Sequence, residues 1–199
     1  MLKSNQEIIS RKILYAEAVF GEEEKQAVMR SMDNKWLASG PKVLEFEAKV
    51  AKLFGKKYGI AVNSGSSANL LALQSLNLPK GAEVITPACT FSTTVSSIVH
   101  NNLVPVFIDS IIGRYTIDED LIEKAITKKT KVIMVPQLVG GVCDMLRLRK
   151  IADKYSLILI DDSCDTFAPY FNSKTAASYS DLTTTSFYGS HIITALGFG

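Results

Sequence analysis

The sequence predicts an α/β protein with a mostly parallel sheet covered by helices on both faces. Two observations carry this. Short, continuously apolar runs such as VPVFI at 104–108 and LILI at 157–160 read as strands buried on both faces. These runs alternate along the chain with segments of helical periodicity, the arrangement that gives parallel strands joined by crossover helices.

Taken in order, Glu22 to Met32 is predicted helical, with Ala27, Val28 and Met32 apolar. Pro41 opens a second helix at its tolerated first-turn position. Val43, Phe46, Val50, Leu53 and Phe54 recur at helical spacing, and Gly55 ends it. Tyr58 to Val62 (YGIAV) is a predicted strand, 63–67 a turn, and Ala68 to Leu76 an apolar helix needing burial on several sides. After a turn at Pro79-Lys80-Gly81 comes a strand at Glu83 to Thr86, then a helix at Thr94 to His100 and a strand at Val104 to Ile108. Asp118-Glu119-Asp120 gives a negatively charged start to a helix that runs to about Thr127. Lys131 to Val135 is a strand, Met145 to Tyr155 a helix, and Leu157 to Ile160 a strand ending in Asp161-Asp162.

Composition narrows the function classes. The 199 residues include 22 Lys plus Arg against 20 Asp plus Glu, a net charge of +2, and 47% are apolar. That excludes intrinsic disorder and gives no basic run to suggest a nucleic-acid partner. Cys89, Cys143 and Cys164 are three and widely spaced, which argues against a disulfide scaffold. No apolar stretch approaches the roughly 20 residues of a membrane helix, and the first 20 residues mix charges throughout, so no membrane partner and a cytoplasmic location are expected. The last residues, HIITALGFG, are glycine-punctuated with no closing helix or strand, and read as a cut rather than a finished end.

In open parallel sheets, ligands bind outside the carboxyl ends of the strands. That selects Ser64–Ser67, Pro87–Phe91, Asp161–Asp165 and Ser186–His191. Gly65-Ser66-Ser67 leads from a strand into a helix, where free N–H groups, the helix dipole and two hydroxyls suit a phosphate. It is not a Walker A loop, and by itself a plain helix cap by Ser66 or Ser67 explains it as well. The Asp161-Asp162 pair suits a cofactor or metal, or equally a capped strand end. Phe91 alone reads as a core aromatic.

Five segments in order, Leu37–Pro41, Ser64–Asn69, Thr86–Phe91, Asp161–Asp165 and Ser186–His191, together resemble the DegT/DnrJ/EryC1/StrS family of pyridoxal-phosphate sugar aminotransferases. The resemblance runs from about Ala18 to the end. It implies the type I aminotransferase fold: an N-terminal helical segment over 1–40, and over 41–199 part of a cofactor-binding large domain that stops before a smaller C-terminal domain. It also implies roles. Ser66, Ser67 and Ser186 would hold the cofactor phosphate, Phe91 would stack on the pyridine ring, and Asp165 would lie near the ring's phenolic oxygen. Asp162 would pair with the protonated ring nitrogen, keeping the ring able to absorb the electrons of a carbanion.

One position departs from the family. Its aminotransferases carry, in Ser-Phe-x-x-x-Lys, the lysine that bonds the cofactor; here His191 stands there. An imidazole makes no stable imine. The resemblance is therefore to the branch of sugar 3-dehydratases that act on nucleotide-linked 4-keto-6-deoxyhexoses with pyridoxamine phosphate, His191 removing a proton from the cofactor's exocyclic carbon. A histidine that replaced Lys in a decayed gene is the competing explanation. Cys164 matches the first ligand of the iron–sulfur cluster that some of these dehydratases carry, together with a partner reductase; a small buried thiol is the other reading. Cys89 and Cys143 are read as structural, and His100 as structural or at the surface. The resemblance further implies a homodimer.

Several glycines of the family are replaced. Gly141 stands where Asn is usual, and Ser173 and Ala177 where Gly is usual. If those turns need positive φ, each costs about 1 kcal/mol or more. With the abrupt end, this leads to the expectation that this chain alone is inactive or unstable. The alternatives to a dehydratase are a sugar aminotransferase of the same family and a non-catalytic remnant.

Overall fold

The computed structural model describes residues 18–36, 38–195 and 197–199. Helix α1 (Glu22–Asp33) begins with three glutamates, and Glu24 accepts the Gly21 N–H at 2.6 Å. Those negative charges suit the positive end of the helix dipole. None of its residues is buried. Helix α2 (Pro41–Leu53) starts on proline, and Gly55 follows with φ +66°. Then come α3 (Gly65–Ser75), β1 (Glu83–Pro87), α4 (Ser92–His100), β2 (Val104–Ile108), α5 (Glu119–Ala125) and β3 (Thr130–Pro136). The chain continues through α6 (Met145–Tyr155), β4 (Ile158–Ser163), a two-stranded hairpin of β5 (Tyr170–Phe171) and β6 (Lys174–Thr175), and β7 (Leu182–Thr185).

Five strands form one parallel sheet in the order β2-β1-β3-β4-β7. Alternation along each strand makes two cores. Ile85, Ile133, Val135 and Leu159 join Ile122 and Leu148 of α5 and α6. Val84, Val132, Met134 and Ile160 join Leu73 and Ile98 of α3 and α4 on the other face. The expected α/β fold with helices on both faces is therefore present.

Some expected elements differ. Tyr58–Val62 is not a strand; only Val62 makes a reciprocal pair of backbone bonds, with Gly199, and Ile60 stays exposed. Among the described residues no ladder partner lies beside the rest of the run, and an unpaired β-rich run gains nothing from extended pairing. Helix α3 begins at Gly65 rather than Ala68, because its cap is Ser64, whose hydroxyl accepts the Ser67 N–H at 3.1 Å. Ser66 and Ser67 are inside the first turn, not caps. Strand β4 runs on through Asp161 and Asp162, so neither carboxylate caps a strand end.

The turns expected to need positive φ divide. Gly141 has φ −71°, and Ala177 lies in a short 3-10 turn outside the left-handed region. Ser173 has φ +63°, beside Asn172 at +48°, as the two-residue turn of the β5–β6 hairpin demands. Ala168, at φ +44°, is a strained position that the sequence reading missed.

Candidate functional site

The carboxyl ends of β4 and β7 and the start of α3 meet at one place. Asp162 shares the parity of Ile160, so its side chain lies on the α3/α4 face. It is buried, and three donors engage its oxygens. Asn69 Nδ2 reaches Oδ2 at 2.7 Å, Thr94 Oγ1 reaches the same oxygen at 2.9 Å, and the Cys164 N–H reaches Oδ1 at 3.2 Å. Thr184 spends its hydroxyl proton on Asn69 Oδ1 at 2.6 Å, which orients that amide toward Asp162. The carboxylate is thus fixed from two helices and a neighbouring strand. Asn69, Thr94 and Thr184 were not singled out from the sequence. A buried Asn within the apolar run ANLLALQSL was the available signal.

Asp161, with the opposite parity, faces α6. It is fully buried and accepts from Gln137 Nε2 at 2.8 Å and from the Ser163 hydroxyl at 3.0 Å. Burial pushes its carboxyl up to about 6, against the lowering effect of those two bonds. Gln137 also accepts the Cys143 N–H at 2.8 Å, so Cys143 is structural as expected.

Gly65 is where α3 enters the site. A Cβ there would lie 2.7 Å from Ser186 Cβ and 2.9 Å from Cys164 Sγ, so only glycine lets these three segments converge. Ser66 donates to Thr93 Oγ1 at 3.1 Å, tying the N-terminus of α3 to that of α4. Ser67 receives a bond from Ser64 Oγ at 3.1 Å. Phe91 precedes α4 and is 64% exposed, so it is not the core aromatic it resembles in isolation.

Ser186 is buried just past β7. Its carbonyl lies 3.3 Å from His191 Nδ1, which sets Nδ1 as the hydrogen-bearing nitrogen and leaves Nε2 as an acceptor. His191 Nε2 is 4.0 Å from Asp165 Oδ1, and Asp165 Oδ2 accepts the Val139 N–H at 3.3 Å. The Tyr188 ring meets the imidazole edge-on at 5.8 Å.

The residues present fit a pyridoxal-type cofactor. They offer a buried carboxylate held by donors, an open helix N-terminus with hydroxyls, an exposed aromatic ring and an imidazole, all on the segments named from the sequence. For an iron–sulfur cluster the described residues offer one candidate ligand, Cys164. Among the described residues no group of three or more His, Cys, Asp or Glu is placed to hold a metal. Cys89 is exposed, Cys143 is in the core, and burial and Asp162 hold the Cys164 thiol far above its usual range, favouring the protonated form. Cys164 is here a thiol packed beside Gly65. No helix among the described residues is long and apolar enough to cross a membrane.

Comparison with known proteins agrees with this fold. The sequence profile described as the DegT/DnrJ/EryC1/StrS aminotransferase family matches residues 19–199. The lipopolysaccharide biosynthesis protein RfbH of Salmonella typhimurium is 40% identical over 88% of this chain and 42% of its own length. The dTDP-4-dehydro-2,6-dideoxy-D-glucose 3-dehydratase of Saccharopolyspora spinosa is 38% identical over 89% of this chain and 40% of its own. The solved GDP-4-keto-6-deoxy-D-mannose-3-dehydratase of E. coli, with bound hydrated PLP, superposes with a TM-score of 0.88 at 32% identity, covering 94% of this chain and 50% of that one. The chain thus spans about half the length of the relatives it matches, and its fold is that of pyridoxal-phosphate aminotransferases.

Proposed function

Because the chain belongs to the DegT/DnrJ/EryC1/StrS aminotransferase family, we propose that the protein it represents removes the C3 hydroxyl of a nucleotide-linked 4-keto-6-deoxyhexose in deoxysugar biosynthesis. The observation that carries this is the side chain that the 186–191 segment brings to the site: an imidazole, with Nδ1 engaged by the Ser186 carbonyl. A primary amine there would support covalent transamination; a tautomer-fixed imidazole supports proton transfer beside a non-covalently held cofactor.

Pyridoxamine phosphate, when bound, supplies an amine that condenses with the sugar ketone and a ring that takes up an electron pair. The protein's residues do the rest. Asp162 would pair with the ring nitrogen, and Asn69, Thr94 and the Cys164 N–H keep its carboxylate oriented. Ser66, Ser67 and Ser186 would hold the phosphate at the start of α3, and Phe91 would cover the ring. His191 receives the proton at Nε2. In this reading residues 41–199 belong to the cofactor-binding domain, and the working protein is a homodimer.

The test is turnover of a GDP- or dTDP-linked 4-keto-6-deoxyhexose with pyridoxamine phosphate, read by mass spectrometry. Loss of the C3 oxygen supports the proposal, together with abolition in His191→Asn. Transfer of an amino group to C4 would point to an aminotransferase and sink it.

A further inference from the structure

The turn between β3 and α6 carries unexplained strain. Val139 sits at φ 53°, ψ 31°, a left-handed conformation that costs a residue with a Cβ about 1–2 kcal/mol. Its side chain is 76% exposed, so packing does not offset that cost. The conformation directs one group, the Val139 N–H, onto Asp165 Oδ2 at 3.3 Å, while Oδ1 of the same carboxylate faces His191 Nε2 at 4.0 Å. The turn is also anchored from below. Gln137 donates its N–H to the Asp162 carbonyl at 2.9 Å, its side chain donates to buried Asp161 at 2.8 Å, and it accepts the Cys143 N–H at 2.8 Å. One buried glutamine therefore ties the turn to β4, the strand that precedes Asp165.

We propose that Val139 and Asp165 are positioning residues for His191: the strained turn presents an amide that orients the Asp165 carboxylate toward the nitrogen that receives the proton. This rests on the reading of His191 as proton acceptor. With Nδ1 held by Ser186, a proton arriving at Nε2 makes an imidazolium, and the carboxylate beside it supplies the opposite charge. Asp165 is partly exposed, with 41% of its side chain open, so screening weakens a free-swinging charge and orientation decides its effect. Strain kept at an exposed valine next to such a group is the pattern of a functional constraint.

Nuclear magnetic resonance of the 199-residue chain tests this, with His100 and His191, its two histidines, assigned by replacement with Asn. Asp165→Ala removes the acceptor, and the Val139 amide is expected to exchange on the order of tenfold faster. Asp165→Asn keeps an acceptor oxygen and is expected to retain the protection. Gly140→Val forces a β-branched residue into φ +83° where nothing lies within 4 Å of the added Cβ. It disturbs the turn without touching Asp165 or His191. The His191 ring signals should then move in the direction seen for Asp165→Ala, with those of His100 unmoved. Unchanged Val139 exchange in Asp165→Ala, or an unmoved His191 in Gly140→Val, overturns the proposal. A His191→Asn protein that still dehydrates would instead sink the proton-acceptor reading and leave the exchange result standing.

Discussion

Replacing Asp161 by Asn should change how stability depends on pH. Asp161 is fully buried between Gln137, Ser163 and the Cys143 region, with Lys56 the opposing charge and Asp162 its like-charged neighbour. Burial raises its carboxyl from the ordinary 3.8 to about 6. Between those values the folded chain holds a proton that the unfolded chain has released. Stability therefore falls as pH rises from about 4 to about 6, and levels off above. At about 1.4 kcal/mol per factor of ten, the effect is about 3 kcal/mol. Asp161→Asn keeps the oxygen that accepts from Gln137 and cannot ionise. Urea unfolding at steps from pH 4 to 7, followed by circular dichroism, measures both proteins. Groups of opposite sign, such as Asp181, whose carboxyl is held below its usual range by the Leu159 N–H and Arg149 despite partial burial, cancel in the comparison. The stability of the wild type relative to the variant should drop by about 3 kcal/mol across that window. A difference that stays flat, or grows with pH, would refute the reasoning.

Three further outcomes are expected. Ser173→Gly relieves the left-handed second position of the β5–β6 turn and should stabilise by up to about 1 kcal/mol, a rise of roughly 2–4 °C in Tm by calorimetry. Thr94→Val removes one of the donors to buried Asp162 and should cost about 1–3 kcal/mol in urea unfolding, with weaker retention of added pyridoxal phosphate on gel filtration. Gly65→Ala places a methyl group 2.7 Å from Ser186 Cβ, so a loss of about 1–3 kcal/mol and reduced cofactor retention are expected by the same two assays.

Much of the fold is legible in the chain because the central strands β1, β3 and β4 are buried on both faces; the edge strand β2, expected to be so too, leaves Val104 and Phe107 exposed. VPVFI, VIMV and LILI contain no polar interruption, Thr86 alone interrupts VITP, and β1, β3 and β4 pack apolar side chains on both sides of the sheet. Tyr58–Val62 is similarly apolar and fails as a strand, since pairing needs a neighbour and among the described residues only Val62 finds one, in Gly199. The β5–β6 hairpin is too short to show periodicity, and its Asn-Ser turn is a weak signal. At the site, three segments could be named because each lies at the end of a strand, and Ser64–Ser67 because it opens α3. The contacts that give the residues their roles could not. Asn69 and Thr94 reach Asp162 across more than sixty residues of chain, and Val139 reaches Asp165 through a backbone conformation that a valine's identity argues against.

The central claim is a cofactor site built around an imidazole rather than an amine. The most direct test is the ultraviolet–visible spectrum of the purified protein with pyridoxal phosphate or pyridoxamine phosphate, before and after borohydride and gel filtration, beside His191→Lys. Cofactor retained by the wild type without covalent trapping, and trapped at position 191 in the variant, is the predicted result. Covalent trapping at a lysine of the wild type would contradict it.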